Sequence, residues 1–289
     1  MKNNQTPQKT INYEVFLEGV GVHSGERSAI TLRPAQENSG ITLLNKKFPN
    51  DLLQIGTVVP EQAMHATVLK AKTWAVSTVE HLMAAIHGLE IDNLLVEIEG
   101  FELPILDGSA LPFVQAIQAT GLKIQIEPKQ FVTPKQTLRF EEQKKYIEIQ
   151  PANKDNTLYF DYSVNFEHPL VRDSRMSGSL SPTYFTREIA PARTFGFLEQ
   201  LPLLRKHGLA KGTTLGNTVV VGQEIVLNSQ RFEDEFIRHK LLDLIGDLTL
   251  LGKPLAGTII AHKTGHSFTR KIIEHSIQHP DQWEAFTSK

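Results

Sequence analysis

The 289-residue chain contains no cysteine, which excludes disulfides, thiolate metal sites and cysteine nucleophiles together. Any metal must therefore be held by histidine and carboxylate. The chain also lacks any run of about 18 apolar residues, so no segment reads as a membrane span. Met1 to Thr10 is polar and carries no apolar core of a signal peptide. A cytoplasmic protein is expected, with at most a peripheral membrane contact. An excess of positive charge is missing too: 30 Lys and Arg stand against 32 Asp and Glu, for a formal net charge of -2. No basic run and no interleaving of basic with aromatic residues appears, so nucleic acid is not an expected partner. Any anionic ligand must be held by local lysines. What is present is a hydrophobic content of 40%, enough for one large core or two of ordinary size.

The segment Glu233 to Leu251 carries the clearest pattern, and Gly252 and Pro254 stop it. On a 3.6-residue helix Ile237, Leu241, Leu244 and Leu248 form one apolar stripe, widened by Leu242 and Ile245. His239, Asp243 and Asp247 recur every fourth residue on roughly the opposite side, where side chains stack turn above turn. Two readings stand: a solvated polar face, or a ligand-bearing one. Phe236, Gly246 and Leu250 in the same stripe argue against water, and His followed by Asp four residues later has chelate spacing.

Residues 11 to 59 alternate as strands do. Gly19-Val-Gly-Val-His-Ser-Gly joins two strand-like runs instead of opening a helix, so it is a poor dinucleotide loop and His23 reads as structural. At Ser77-Thr-Val-Glu-His-Leu a helix begins. Ser77 and Glu80 match a capping box, and Gly88 is a natural stop. The capping box accounts for Glu80 but not for His81, and an ionisable pair on the first turn of an apolar helix suggests a metal ligand with an adjacent base. A strand from Asp92 and a helix from Ser109 to Thr120, with Pro112 in its first turn, complete one layer pair. Ile126 to Gln136, with Pro128 and Pro134, reads as a linker, which divides the chain into domains 1–127 and 128–289. The second half repeats the order. Strands run to about Phe166, a helix follows near Pro182 to Ala190, Thr218-Val-Val-Val and Glu224-Ile-Val-Leu read as strands, and the long helix and the strand Gly257 to Ala261 come after. His266 falls in the loop before a last helix from about Ser267, and Thr194 places a hydroxyl beside a turn glycine. The fold class is α+β, with two similar layered domains, each a sheet packed on two helices.

Six motifs in order resemble one family over nearly the whole chain. They are Ser77-Thr-Val-Glu-His-Leu-Met-Ala-Ala, Ile91-Asp-Asn, Pro104-Ile-Leu-Asp-Gly-Ser-Ala, Ala192-Arg-Thr-Phe-Gly-Phe, Arg231 to Leu248 and Lys263-Thr-Gly-His. The family is UDP-3-O-acyl-N-acetylglucosamine deacetylase, the zinc amidase of lipid A synthesis. The resemblance implies that His81, His239 and Asp243 bind one Zn2+, with Fe2+ as the other candidate, and that Glu80 is general base. It implies that His266 is the protonated partner oriented by Asp247, and that Thr194 helps to hold the oxyanion. It further implies that Lys240 and Lys263 lie near the UDP-3-O-acyl-N-acetylglucosamine substrate, that a segment near 195–222, with Phe195 and Leu201, lines an acyl-chain passage, and that the active site lies between the domains. A monomer is expected.

The chain departs from the family pattern at Thr213 and Gly216, where a second glycine and an acid are usual, and at Thr269, where asparagine is usual. These positions bear on the chain length accepted and on turnover, not on the metal. Two other readings remain. A non-haem iron oxygenase also uses two histidines and a carboxylate, and a non-hydrolytic paralogue would bind acyl sugar nucleotides without cleaving them.

Overall fold

The computed structural model describes residues 5–152 and 156–287. In chain order β1 (Pro7–Ile11), β2 (Val15–Val20), β3 (Arg27–Pro34), β4 (Ile41–Asn45), β5 (Leu52–Gln54), β6 (Val68–Lys70) and β7 (Ala75–Ser77) precede α1 (Glu80–Gly88). Next come β8 (Leu94–Glu99), α2 (Leu111–Thr120), β9 (Leu122–Pro128), β10 (Gln130–Pro134), β11 (Leu138–Glu142) and β12 (Lys145–Gln150). β13 (Leu158–Val164), β14 (Ser174–Ser179), α3 (Pro182–Tyr184), a π-helical turn Phe185–Ile189, β15 (Phe195–Phe197) and α4 (Leu201–Lys206) follow. The chain closes with β16 (Val219–Val221), α5 (Glu235–Leu248), β17 (Gly257–His262), α6 (His266–Gln278) and β18 (Trp283–Thr287).

Two five-stranded sheets share one plan. The first has the order β2-β3-β8-β4-β5 and the second β11-β12-β17-β13-β14. In each, two hairpins flank a strand that comes later in the chain, and that strand pairs parallel with the neighbour on one side: β8 with β4, β17 with β13. The repeat in element order expected from the sequence is therefore a repeat in topology. Alternation shows which face is inward: Ile41 and Leu43 are buried along β4, and Leu158, Phe160, Tyr162 and Val164 along β13. α2 packs beside β2, while α5 and α6 lie on β13, β14 and β11.

The two layers meet through their helices. α1 packs against α5 more extensively than against any other element, and one continuous core runs through Leu82, Met83 and Ile86 of α1 and Leu241, Leu242 and Ile245 of α5. Each such fully buried side chain contributes about 1.5–3 kcal/mol of transfer free energy. The approach is close enough to exclude a side chain at Gly246, whose added Cβ would lie 2.0 Å from the carbonyl oxygen of Glu80. That contact is why a glycine stands in the middle of α5.

Three local expectations fail, each for a tertiary reason. Ser77 does not cap α1: it ends β7, paired with Val68, the chain turns at Thr78 with φ 58°, and the N-cap Val79 makes no side-chain bond. Ile126 to Gln136 is not a linker, because β9 pairs with β1 and β10 with β18, each with a proline at its last position. Glu224 to Leu227 forms no strand, only a bridge from Val226 to Val221. Of the two readings left open for the polar side of α5, the solvated one is excluded, because His239, Asp243 and Asp247 are all buried.

Candidate metal centre

α5 carries His239 and Asp243 one turn apart, and α1 brings His81 to the same place from the other half. One donor atom from each lies within 4.8 Å of the others. His239 Nε2 is 3.4 Å and His81 Nε2 3.8 Å from Asp243 Oδ1, and the two rings meet edge on with centroids 5.0 Å apart.

Charge states suit donation. Burial, then the neighbouring His239, pushes His81 down to about 3, and burial lowers His239 as well, so both imidazoles are neutral at pH 7 and offer lone pairs. Burial disfavours the Asp243 carboxylate, but Lys240 and the surrounding histidines outweigh it and hold the group well below the usual carboxylate range. Lys240 Nζ donates to Asp243 Oδ2 at 2.6 Å, which leaves Oδ1 to the imidazoles. His239 Nδ1 donates to the Ala192 carbonyl at 3.1 Å, fixing the proton there and freeing Nε2. Two neutral imidazoles and one carboxylate converging on one point fit a divalent cation.

A second set of groups adjoins this one. Burial raises the Glu80 carboxyl to about 8 against the pull of His266, and Oε2 accepts a hydrogen bond from the Thr67 N–H at 3.1 Å. His266 is the first residue of α6, not a loop residue, and its Nδ1 lies 2.8 Å from Asp247 Oδ2. Burial works against the imidazolium, yet Asp247 overcomes it through charge and hydrogen bond and raises His266 to about 9, so it is charged at pH 7. Asp247 also accepts from Thr67 Oγ1 and Thr269 Oγ1, each at 2.5 Å.

Both sets open into a cavity of about 560 Å³. Thr194 lines it, its N–H donating to the Gly108 carbonyl at 2.7 Å. Gly108 is required there: φ is 86° and an added Cβ would lie 1.8 Å from the Asn217 oxygen. An apolar wall starts at the donors, since the Phe195 ring lies 6.2 Å from that of His239, with Phe197 and Phe166 beyond it and Leu201 and Leu204 of α4 on the same lining. Lys240 and Thr213 line the cavity too. Lys263 does not: it borders a different cleft of about 320 Å³ with Asn165, Arg175 and His262. His23 and His65 line the main cavity, His23 Nε2 facing the His65 carbonyl at 3.2 Å.

Three buried groups escaped the sequence reading. Glu102 accepts from the His23 and Ser24 N–H groups and from Thr78 Oγ1, tying the glycine-rich turn to the start of α1. Its flanks, Phe101 and Leu103, were the one hint that an acid sits in an apolar place. Glu235 pairs with Arg193 at 2.9 Å and pins Ala192 to Thr194 on the start of α5. Thr67, in an irregular segment, left no signal.

The family model described as UDP-3-O-acyl N-acetylglycosamine deacetylase matches residues 8–278. The chain is 38% identical over 288 residues to the UDP-3-O-acyl-N-acetylglucosamine deacetylase of Myxococcus xanthus, covering 98% of this chain and 90% of that protein. Against the protein of the same name from Colwellia psychrerythraea it is 37% identical over 286 residues, covering 97% and 93%. Against that of Coxiella burnetii it is 37% identical over 288 residues, covering 98% and 94%.

Proposed function

The chain belongs to the UDP-3-O-acyl N-acetylglycosamine deacetylase family, and from that premise we propose that it hydrolyses the N-acetyl group of a UDP-3-O-(3-hydroxyacyl)-N-acetylglucosamine in lipid A biosynthesis. The observation that carries this reading is the convergence of three unspent donor atoms on a cavity that Glu80 and His266 also line. An oxygenase has no use for a dedicated carboxyl base and a charged histidine at the same cavity.

His81, His239 and Asp243 are the groups that hold the metal, which we take to be one Zn2+. When bound, zinc supplies Lewis acidity toward the amide carbonyl and brings the pKa of water down to roughly 7. Glu80 takes the proton of the attacking water, in the ionised form that an adjacent cation favours. Addition of oxygen to the amide carbon develops negative charge on the carbonyl oxygen, and the Thr194 hydroxyl donates to it, a contribution of about 3 kcal/mol for one donor. The C–N bond then breaks. His266 gives its Nε2 proton to the departing amine, Asp247 holds the ring, and acetate leaves. Lys240 fixes Asp243 while presenting positive charge to the cavity. Lys263 supplies a point charge for the diphosphate from the neighbouring cleft. Phe195 and Leu201, in the inserted segment 195–222, take the acyl chain.

We further place the division between the two layered domains at residues 127 and 128, and assign the protein to the cytoplasm as a monomer with at most peripheral membrane contact. Among the described residues no helix is long and apolar enough to cross a membrane. The test is release of free amine from the acyl sugar nucleotide by chelator-stripped protein, before and after one equivalent of zinc or of Fe2+. Activity restored by metal and absent in Glu80→Ala supports the reading. Metal uptake without amine at any chain length sinks it and favours a binding paralogue.

A further inference from the structure

The roles given to Glu80 and His266 leave one buried hydroxyl between them without a task, and the following rests on those roles. Thr67 lies just ahead of β6, in the first half, and is buried. Its N–H donates to Glu80 Oε2 at 3.1 Å. Its hydroxyl donates to Asp247 Oδ1 at 2.5 Å, and the same oxygen lies 3.1 Å from His266 Nδ1. A hydroxyl has one proton and two lone pairs. With the proton given to the carboxylate, the oxygen can only accept, so the Nδ1–H of His266 is shared between Asp247 Oδ2 at 2.8 Å and Thr67 Oγ1. Nδ1 is thereby the pinned nitrogen and Nε2 the one left for the cavity.

Thr269 makes a related bond, Oγ1 to Asp247 Oδ2 at 2.5 Å, but it sits on α6 with His266 and works within one half. Thr67 crosses between halves. The segment before it is held to α6, where Arg270 Nε donates to the Pro60 carbonyl at 2.8 Å. We infer that Thr67 is the positioning residue that sets the proton-accepting carboxyl and the proton-donating imidazole in one frame, by its N–H on Glu80 and its hydroxyl on the Asp247–His266 pair.

The test uses the full zinc-loaded chain with Thr67→Val, which keeps shape and backbone N–H but removes the hydroxyl, and Thr67→Ser, which restores it. Thr67→Ala replaces the valine variant should that not fold. Removing an outer hydrogen-bonding partner of this kind lowers kcat about 10–100-fold. KM stays within about twofold and serine recovers kcat to within about threefold, because the lost interaction acts on the reacting groups and not on ground-state binding. In parallel, the Nδ1 proton resonance of His266, identified by its loss in His266→Gln, shifts in Thr67→Val and returns in Thr67→Ser. A valine variant with wild-type kcat and an unmoved resonance, or a serine variant as impaired as valine, overturns the assignment. The resonance is read without substrate, so a wild type that releases no amine defeats the functional reading while the resonance still decides whether Thr67 fixes the imidazole.

Discussion

α1 has a buried polar cluster at each end, and the two are built on opposite principles. At its C-terminal end Lys129 Nζ lies 3.1 Å from Asp92 and donates to the Glu90 carbonyl at 2.9 Å, Lys9 pairs with Glu90 at 2.6 Å, and Asn93 is bonded to Gln8 and Gln125. At its N-terminal end the imidazole nitrogens stand 3.4 and 3.8 Å from a shared carboxylate oxygen, and among the described residues His81 Nδ1 has no hydrogen-bond partner. Both border cavities of similar size, about 440 and 560 Å³. Volume therefore does not separate them, but satisfaction does. Where every buried charge has its partner the cluster is a closed structural joint, and where lone pairs converge unspent it is poised for something from outside.

The contrast breaks most visibly at the front. Glu80→Gln is expected to lower amine release about a thousandfold, the scale of a lost general base, with metal retained by mass spectrometry. His81→Ala loses the metal as well, and Glu80→Gln leaves the melting temperature of the apoprotein unchanged, since the amide matches in shape a carboxyl that burial holds protonated. At the rear the signs reverse. Lys129→Met leaves the buried Asp92 without its cation, with only the Lys9 N–H still donating to it, and costs about 3–5 kcal/mol in urea unfolding, with turnover per folded molecule unchanged. A stable Lys129→Met that had lost activity would erase the distinction.

A smaller effect is a shift and not a loss. In the proposed role of proton donor His266 serves only while charged, so activity is expected to fall as pH rises through about 9. Asp247→Asn removes the strongest raising influence while burial remains, and the alkaline limb of the kcat/KM profile moves to lower pH. Smallest is the apolar wall proposed to take the acyl chain: Leu201→Ala raises KM about three- to tenfold with kcat unchanged, about 1 kcal/mol of lost apolar contact.

The front cluster was legible in the sequence because its members are spaced by helix geometry. His239, Asp243 and Asp247 recur every fourth residue, and Phe236 and Gly246 in the same stripe already spoke against water. Glu80 and His81 were legible only in part, since the Ser77 pattern suggested a cap, and a β-ladder partner distant from the helix overrode it. Thr67 and Glu102 were not legible. Each acts through a bond to a residue far along the chain, from an irregular segment with no period to betray it. β9 and β10 looked like a linker for the same reason: their partners, β1 and β18, lie near opposite ends of the chain.

The absent side chain at Gly246 also has a kinetic consequence. His81 and Asp243 are roughly 160 residues apart, and they meet only when α1 seats against that glycine and closes one of the longest loops in the chain. His239 and Asp243 alone are a two-point chelate on one helix, weak and slow to discriminate. The third donor comes from the other helix, so an ion held by all three would act as a latch on the packed pair, and its escape rate would be a clock for the parting of the two helices.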